Sequence, residues 1–147
     1  MGFFGDLFNS EEKQEKKAKL SRIKLLLMLS NVDGEISAVE RGFIFAAADI
    51  LGFNNQDVLK VTKELMNGDG GVYIPKDSDK AFDLLRDLVK LMLIDGEMHP
   101  NEIHFCKKVA VDCGFNPEVI DELAKLYLSD DDFKQKIKRL SEIYKDE

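Results

Sequence analysis

The chain is expected to be all-α, and three observations predict this class. Apolar residues recur at helical spacing through most of the 147 residues, no segment alternates apolar and polar residues for long enough to require a strand, and helix start and stop signals punctuate the sequence. A chain of this length is expected to form one domain, 1–147, that buries roughly 68–70% of the surface exposed by the unfolded chain.

Seven helices are predicted. The first spans about 10–32, charged at its start and almost wholly apolar through Leu25, Leu26, Leu27, Met28 and Leu29, as suits a helix whose second half is central to a bundle. The second follows Ser37, with Glu40 three residues on completing a capping-box pattern, and stops at Gly52. The third starts at Asn54 and ends near Met66, before a glycine-rich connector, 67–75, too short to be a domain linker. The fourth runs from about Ser78 to Ile94, the fifth starts at Pro100, the sixth at Pro117 behind Asn116, and the seventh follows the three aspartates 130–132. Proline in the first turn and Asn just before it are both start signals.

The chain also contains itself twice. Residues 32–58 align without a gap on residues 94–120, an offset of 62 (94 − 32). The copies agree at Asp33/Asp95, Gly34/Gly96, Glu35/Glu97, Glu40/Glu102, Phe43/Phe105, Ala48/Ala110, Gly52/Gly114, Phe53/Phe115 and Asn54/Asn116. Two three-helix units, about 20–66 and 79–128, are therefore expected to pack about a pseudo-twofold axis with the seventh helix added at the end. The positions 43/105, 47/109, 48/110 and 51/113 form one apolar stripe in each copy. Core packing explains a repeated Phe, but it does not explain three repeated acids.

Composition narrows the function. The net charge of −7 argues against nucleic-acid binding. Lys13, Lys16, Lys17, Lys19, Arg22 and Lys24 cluster near the N-terminus, but Glu11, Glu12 and Glu15 are interleaved with them, so the segment reads as a solvated helix face. Two cysteines make no disulfide framework, and the start lacks the basic and long apolar regions of a signal peptide, so a cytoplasmic location is expected. Phe3, Phe4, Leu7 and Phe8 give residues 1–9 a short amphipathic character, expected to dock on the protein's own core, with membrane-surface or partner contact as the alternative.

The first acidic turn, Asp33-Gly34-Glu35-Ile36-Ser37 with Glu40 beyond it, resembles the second half of an EF-hand loop. The first half is missing, because its ligand positions fall on Leu29 and Asn31, and on Leu91 and Leu93 in the second copy. Neither turn alone is a calcium site, yet joined they would offer Asp33, Glu40, Asp95 and Glu102 to one divalent cation, with Ca²⁺, Mg²⁺, Mn²⁺ and Zn²⁺ left open. Two carboxylates about 4 Å apart repel by about 4 kcal/mol at an effective dielectric near 20, so converging acids need a cation, protons or splayed geometry. The competing reading is architectural: Gly34 and Gly96 permit left-handed turns, and Glu40 and Glu102 occupy a position favoured by capping and by the helix dipole. Ser37 is a good cap, whereas its twin His99 is not, and the aspartates lie four residues ahead of the helix start, too far to cap it.

Two Asp-Gly-x-x-x-x-x-Glu turns, in a helical chain of this length with a Phe-rich start, resemble the tellurite-resistance TerB family. The same domain type is similar to one in a membrane-anchored DnaJ-like co-chaperone. The resemblance implies a seven-helix protein of bacterial type, acidic turns proposed as a metal site, a role in tellurite or other chemical stress, and other stress-response proteins as partners. It carries onto Asp33, Glu40, Asp95 and Glu102; Glu35 and Glu97 fall at a variable place in the pattern. His99, three residues before Glu102, is a further candidate ligand that would bias the site toward a transition metal.

Other residues suggest chemistry less strongly. Cys106 and Cys113 have aliphatic twins, Ile44 and Leu51, and are expected to be small buried hydrophobes. His104 pairs with Gly42 and is expected at the surface. No nucleophile–base pair, nucleotide loop or other catalytic constellation is legible, so a non-enzymatic protein is expected. The alternative to cation binding is a helical protein–protein interaction module, or a co-chaperone-like adaptor, whose acids only shape turns.

Overall fold

A computed structural model describes residues 3–32, 34, 36–68, 71–94 and 98–143, with side chains from residue 13 onward except at 137, 140, 141 and 143. Seven helices follow one another: α1 (Phe3–Ser30), α2 (Ala38–Ile50), α3 (Asn55–Met66), α4 (Ser78–Met92), α5 (Pro100–Asp112), α6 (Glu118–Leu128) and α7 (Asp131–Ile143). No strand occurs among the described residues. The all-α expectation holds, and the helices begin and end close to the predicted signals.

The largest difference lies at the start. Helix α1 begins at Phe3 rather than near Ser10, so residues 3–9 continue the charged helix as one rod instead of preceding it. Gly5 does not interrupt it; one glycine costs a helix only about 1 kcal/mol relative to Ala. The twin helix α4 starts at Ser78, whose counterpart in α1 is Lys16 (78 − 62), so α1 carries an extra N-terminal length that the second half lacks.

Helix ends follow local chemistry. The Ser37 hydroxyl accepts from the Glu40 amide at 3.1 Å, and the Ser37 amide donates to Glu40 Oε1 at 3.3 Å, a full capping box. Asn54 and Asp57 build another at α3, with both bonds at 2.9 Å. The repeated Gly-Phe-Asn at 52–54 and 114–116 is explained completely. Phe53 N–H donates to the Ala48 carbonyl at 2.9 Å and Gly52 N–H to the Asp49 carbonyl at 3.0 Å; Phe115 and Gly114 donate likewise to Ala110 and Val111, both at 2.9 Å. These are Schellman closures, with Gly52 and Gly114 at φ +92° and +85°. Phe53 and Phe115 then pack on the core, and Asn54 and Asn116 use their side chains to start the next helix.

The helices share one apolar core. Ile23, Leu26, Leu29, Leu85, Leu88 and Leu91, from α1 and α4, are all buried at its centre. In the first half α1 packs on α2 and α3, and α2 on α3; in the second half α4 packs on α5 and α6, and α5 on α6. Contact between α1 and α4 joins the halves, and α7 closes across α2 and α6.

The connector fixes how α1 and α4 run. Lys24 Nζ donates to the Gly71 carbonyl at 3.3 Å, the Tyr73 amide donates to Ser21 Oγ at 2.6 Å, and Lys76 and Asp77 share a cleft with Gln14 and Glu15. The chain thus retraces α1 toward its N-terminal end before α4 begins. Helix α4 consequently runs in the same direction as α1, so both acidic turns leave from the same end of the bundle. Two members of the predicted solvated face are drawn into this packing. Arg22 pairs with Asp87 through Nε at 2.8 Å, and Lys24 lies between Glu64 and the connector; Lys13, Lys16, Lys17 and Lys19 are exposed as expected.

Candidate functional site: the end of the bundle carrying the acidic turns

The backbone enters the two turns in the same way. Asn31 N–H donates to the Leu27 carbonyl and Leu93 N–H to the Val89 carbonyl, each at 3.1 Å; Val32 and Ile94 donate to Leu29 and Leu91, each at 3.2 Å. Gly34 has φ +88°, the left-handed turn expected of it. Asp33, Glu35, Asp95, Gly96 and Glu97 lie outside the described residues.

The two glutamates that open the following helices are described, and they differ. Glu40 is half-buried and engaged in the capping box with Ser37. Glu102 is only 7% exposed, the one acid among the described residues to be buried. The cap position ahead of it, His99, makes no side-chain capping bond, and Pro100 fills the first turn. Helix α5 packs on α4, α6 and α1. A buried carboxylate persists only with hydrogen bonds, a nearby cation or a proton to offset its lost hydration. His99 itself is half-buried.

A second buried polar group lies at this end. Ser30, the last residue of α1 and 3% exposed, has a hydroxyl with no hydrogen-bond partner among the described residues. Its twin is Met92 (30 + 62), so nothing in the repeat requires a hydroxyl there.

The thiols behave as core. Cys106 is fully buried, as is its twin Ile44, and its pKa is pushed from 9.0 up to about 12, first by burial and then by the neighbouring charge of Glu102. Cys113 is half-buried like Leu51, and its pKa is raised by burial and by Asp112. Thiols held protonated are poor nucleophiles and poor metal ligands. His104 is exposed.

Among the described residues no three His, Cys, Asp or Glu side chains gather closely enough to hold a metal ion. The described part of the site is therefore Glu40 at the start of α2, and His99 and Glu102 at the start of α5. No helix among the described residues is long and apolar enough to cross a membrane.

One feature was missed in the sequence. A cleft of about 490 Å³ opens between α2, α4, α6 and α7. Extending the 62-residue alignment upstream of residue 32 would have signalled it, because charged residues then stand opposite aliphatic ones. No protein-family model, curated protein or solved structure matches the chain.

Proposed function

We propose that this is a non-enzymatic helical protein that binds one divalent cation between its two acidic turns, with Asp33, Glu40, Asp95 and Glu102 as ligands and Glu35, Glu97 and His99 as secondary candidates. The observation that carries the reading is the burial of Glu102, at 7% exposure, behind a residue that does not cap. A carboxylate kept at the third helical position for capping alone would sit half-exposed, as Glu40 does. The common direction of α1 and α4 supports a composite site, since both turns leave the same end of the bundle. The Ser30 hydroxyl, without a partner among the described residues, adds a buried oxygen there. Oxygen donors of this kind suit a hard cation, and His99 would admit a transition metal.

On the family resemblance, the setting proposed for this binding is a response to tellurite or other chemical stress, in concert with other stress-response proteins. Contact of the N-terminal helix with a membrane surface belongs to the same proposal. A second reading is favoured by Glu40, whose capping box already gives that carboxylate a structural role. In it the chain is an interaction module or co-chaperone-like adaptor with no metal site.

Calorimetric titration of metal-free protein with Ca²⁺, Mg²⁺, Mn²⁺ and Zn²⁺ separates the two. The proposal expects one saturable site for at least one cation, lost in Asp33→Asn/Asp95→Asn and weakened in Glu102→Gln. Absence of binding, or a double variant that binds as the parent does, overturns it in favour of the adaptor.

A further inference from the structure

We propose that the cleft between α2, α4, α6 and α7 is a binding site for a soluble organic acid: a small molecule with an apolar body and one anionic head group. This inference is independent of the acidic turns and stands or falls apart from them.

The cleft has the size of a small-molecule site and the lining of one. At about 490 Å³ it falls within the range of ligand pockets, roughly 300–1,000 Å³, which are largely apolar with a few placed polar groups. Its floor is Phe43, Ala47, Leu51, Ile94 and Phe133, all packed in or against the core. Ile50, on the rim, is 86% exposed, an apolar side chain facing the opening without cover. Ala46 leaves room beside it, where the second copy carries Lys108 (46 + 62).

Comparison of the halves shows that the charges around this floor are additions to an apolar template. Arg22, Asp87 and Lys90 line the cleft, while their counterparts 62 residues away are Leu84, Leu25 and Met28, all within the core or packed on it. A bundle that needed only to close at this place would use aliphatic side chains, as it does at the matching positions.

The balance of charge favours an anion, since Arg22, Arg86, Lys90 and Lys136 line the cleft against Asp87, Asp130 and Asp132. Asp87 is occupied by Arg22. Asp130 accepts from the Asp132 amide at 3.0 Å and starts α7, and Asp132 lies in the first turn, where the helix dipole favours it. Arg86 donates from Nε to the Tyr127 hydroxyl at 3.1 Å and lies 3.5 Å from Asp83. Lys90 and Lys136 remain. Lys90 Nζ sits 5.4 Å from the centre of the Tyr127 ring, and neither lysine has a carboxylate within 4 Å among the described residues. Tyr127 in turn lies 5.0 Å from Phe133, so aromatic surface and unmatched positive charge stand side by side. An acid with an apolar body satisfies both at once, the body over Ile50, Phe43 and Phe133 and the head group at Lys90 and Lys136.

The test uses the full chain and a fluorescent organic acid, 1-anilinonaphthalene-8-sulfonate, beside its uncharged congener N-phenyl-1-naphthylamine. The expected result is saturable one-to-one binding of the sulfonate, at least tenfold tighter than that of the amine. Lys136→Glu, at an exposed position, and Lys90→Glu should each weaken the sulfonate severalfold and leave the amine unchanged. Ala46→Trp should weaken both at least tenfold. Thermal melts confirm that each variant is folded, and the exposed Lys136→Glu and Ala46→Trp keep the test decisive if Lys90→Glu unfolds. Non-saturable binding, equal affinity for the amine, or folded variants that bind as the parent does would overturn the proposal. So would a concentration-dependent dimer in sedimentation that Ala46→Trp disrupts, since a second copy would then fill the cleft.

Discussion

The starts of α2 and α5 occupy equivalent places in the repeat and have diverged in what they do with the same acid. At α2, Ser37 and Glu40 satisfy each other's backbone and the carboxylate stays half-exposed. At α5, His99 and Pro100 stand where a cap would be, the His99 side chain makes no capping bond, and Glu102 is buried. A residue repeated in sequence is therefore not a repeated role. Elsewhere the halves agree closely: both Schellman closures have the same bonds, and both long central helices supply the middle of one core. The contrast at Glu40 and Glu102 is thus a local departure within a shared scaffold.

The largest effects should come from positions where the halves agree. Leu26 and Leu88 are 62 residues apart and both fully buried. Truncating either to Ala removes packing and leaves a cavity, at a cost of about 2–5 kcal/mol. Urea unfolding should show a single transition in both variants, lowered by similar amounts. Two transitions in either variant would mean that the halves are separate cores.

Burial also sets the thiols apart. With the Cys106 pKa near 12 and an ordinary value of 9.0, its thiolate at pH 8 should be scarcer by a factor on the order of a thousand. A disulfide reagent at pH 8 should label native protein at Cys113, and Cys113→Ala should abolish rapid labelling. Linkage gives the sign for stability. The folded pKa is raised, so the unfolded chain releases the proton first; this stabilisation is complete below pH 9 and declines as pH rises toward 12. Cys106→Val should remove that part of the alkaline decline, as read from melts between pH 8 and 11.

Smaller and again symmetric effects are expected at the turn glycines. A Cβ at Gly52 or Gly114 meets no atom within 4 Å, so the cost of Gly→Ala is that of the positive φ alone, about 1–2 kcal/mol. Equal losses in the two variants, measured by urea unfolding, would confirm that Gly-Phe-Asn serves the same purpose in both halves.

Most of the fold was legible because it is written in local signals. Ser37/Glu40, Asn54, Gly52, Gly114 and the Leu25–Leu29 run each act within a few residues of themselves, and each places a helix end or a buried face where periodicity puts it. The start of α1 was not, since helix propagation passes through Gly5 and Asn9. Nor was the cleft, because α2 and α7 meet only through the tertiary fold and Arg22 and Asp87 are 65 residues apart. Glu102 was half legible: His99 is not a capping residue type, which sets this helix start apart from that of α2, but the burial of Glu102 is a tertiary property that no local pattern reports.

The smallest effect bears most directly on the opening contrast. Ser37→Ala should cost about 1 kcal/mol, the usual loss for a helix cap, and most of Glu40's structural value should go with it. His99→Ala should cost less than half as much, because no side-chain capping bond is lost at α5. His99→Ser offers the second helix the cap it lacks. If Glu102 is kept at its position only by helix geometry, the new Ser should complete a capping box and stabilise α5 by about 1 kcal/mol. If Glu102 is held inward by what it binds, the Ser gains only its own bond to the backbone, and the increase should be about half that. Chemical unfolding of Ser37→Ala, His99→Ala and His99→Ser in metal-free buffer and with saturating cation reads the difference. A full gain in both buffers would return Glu102 to the same role as Glu40 and remove the strongest support for a cation between the turns.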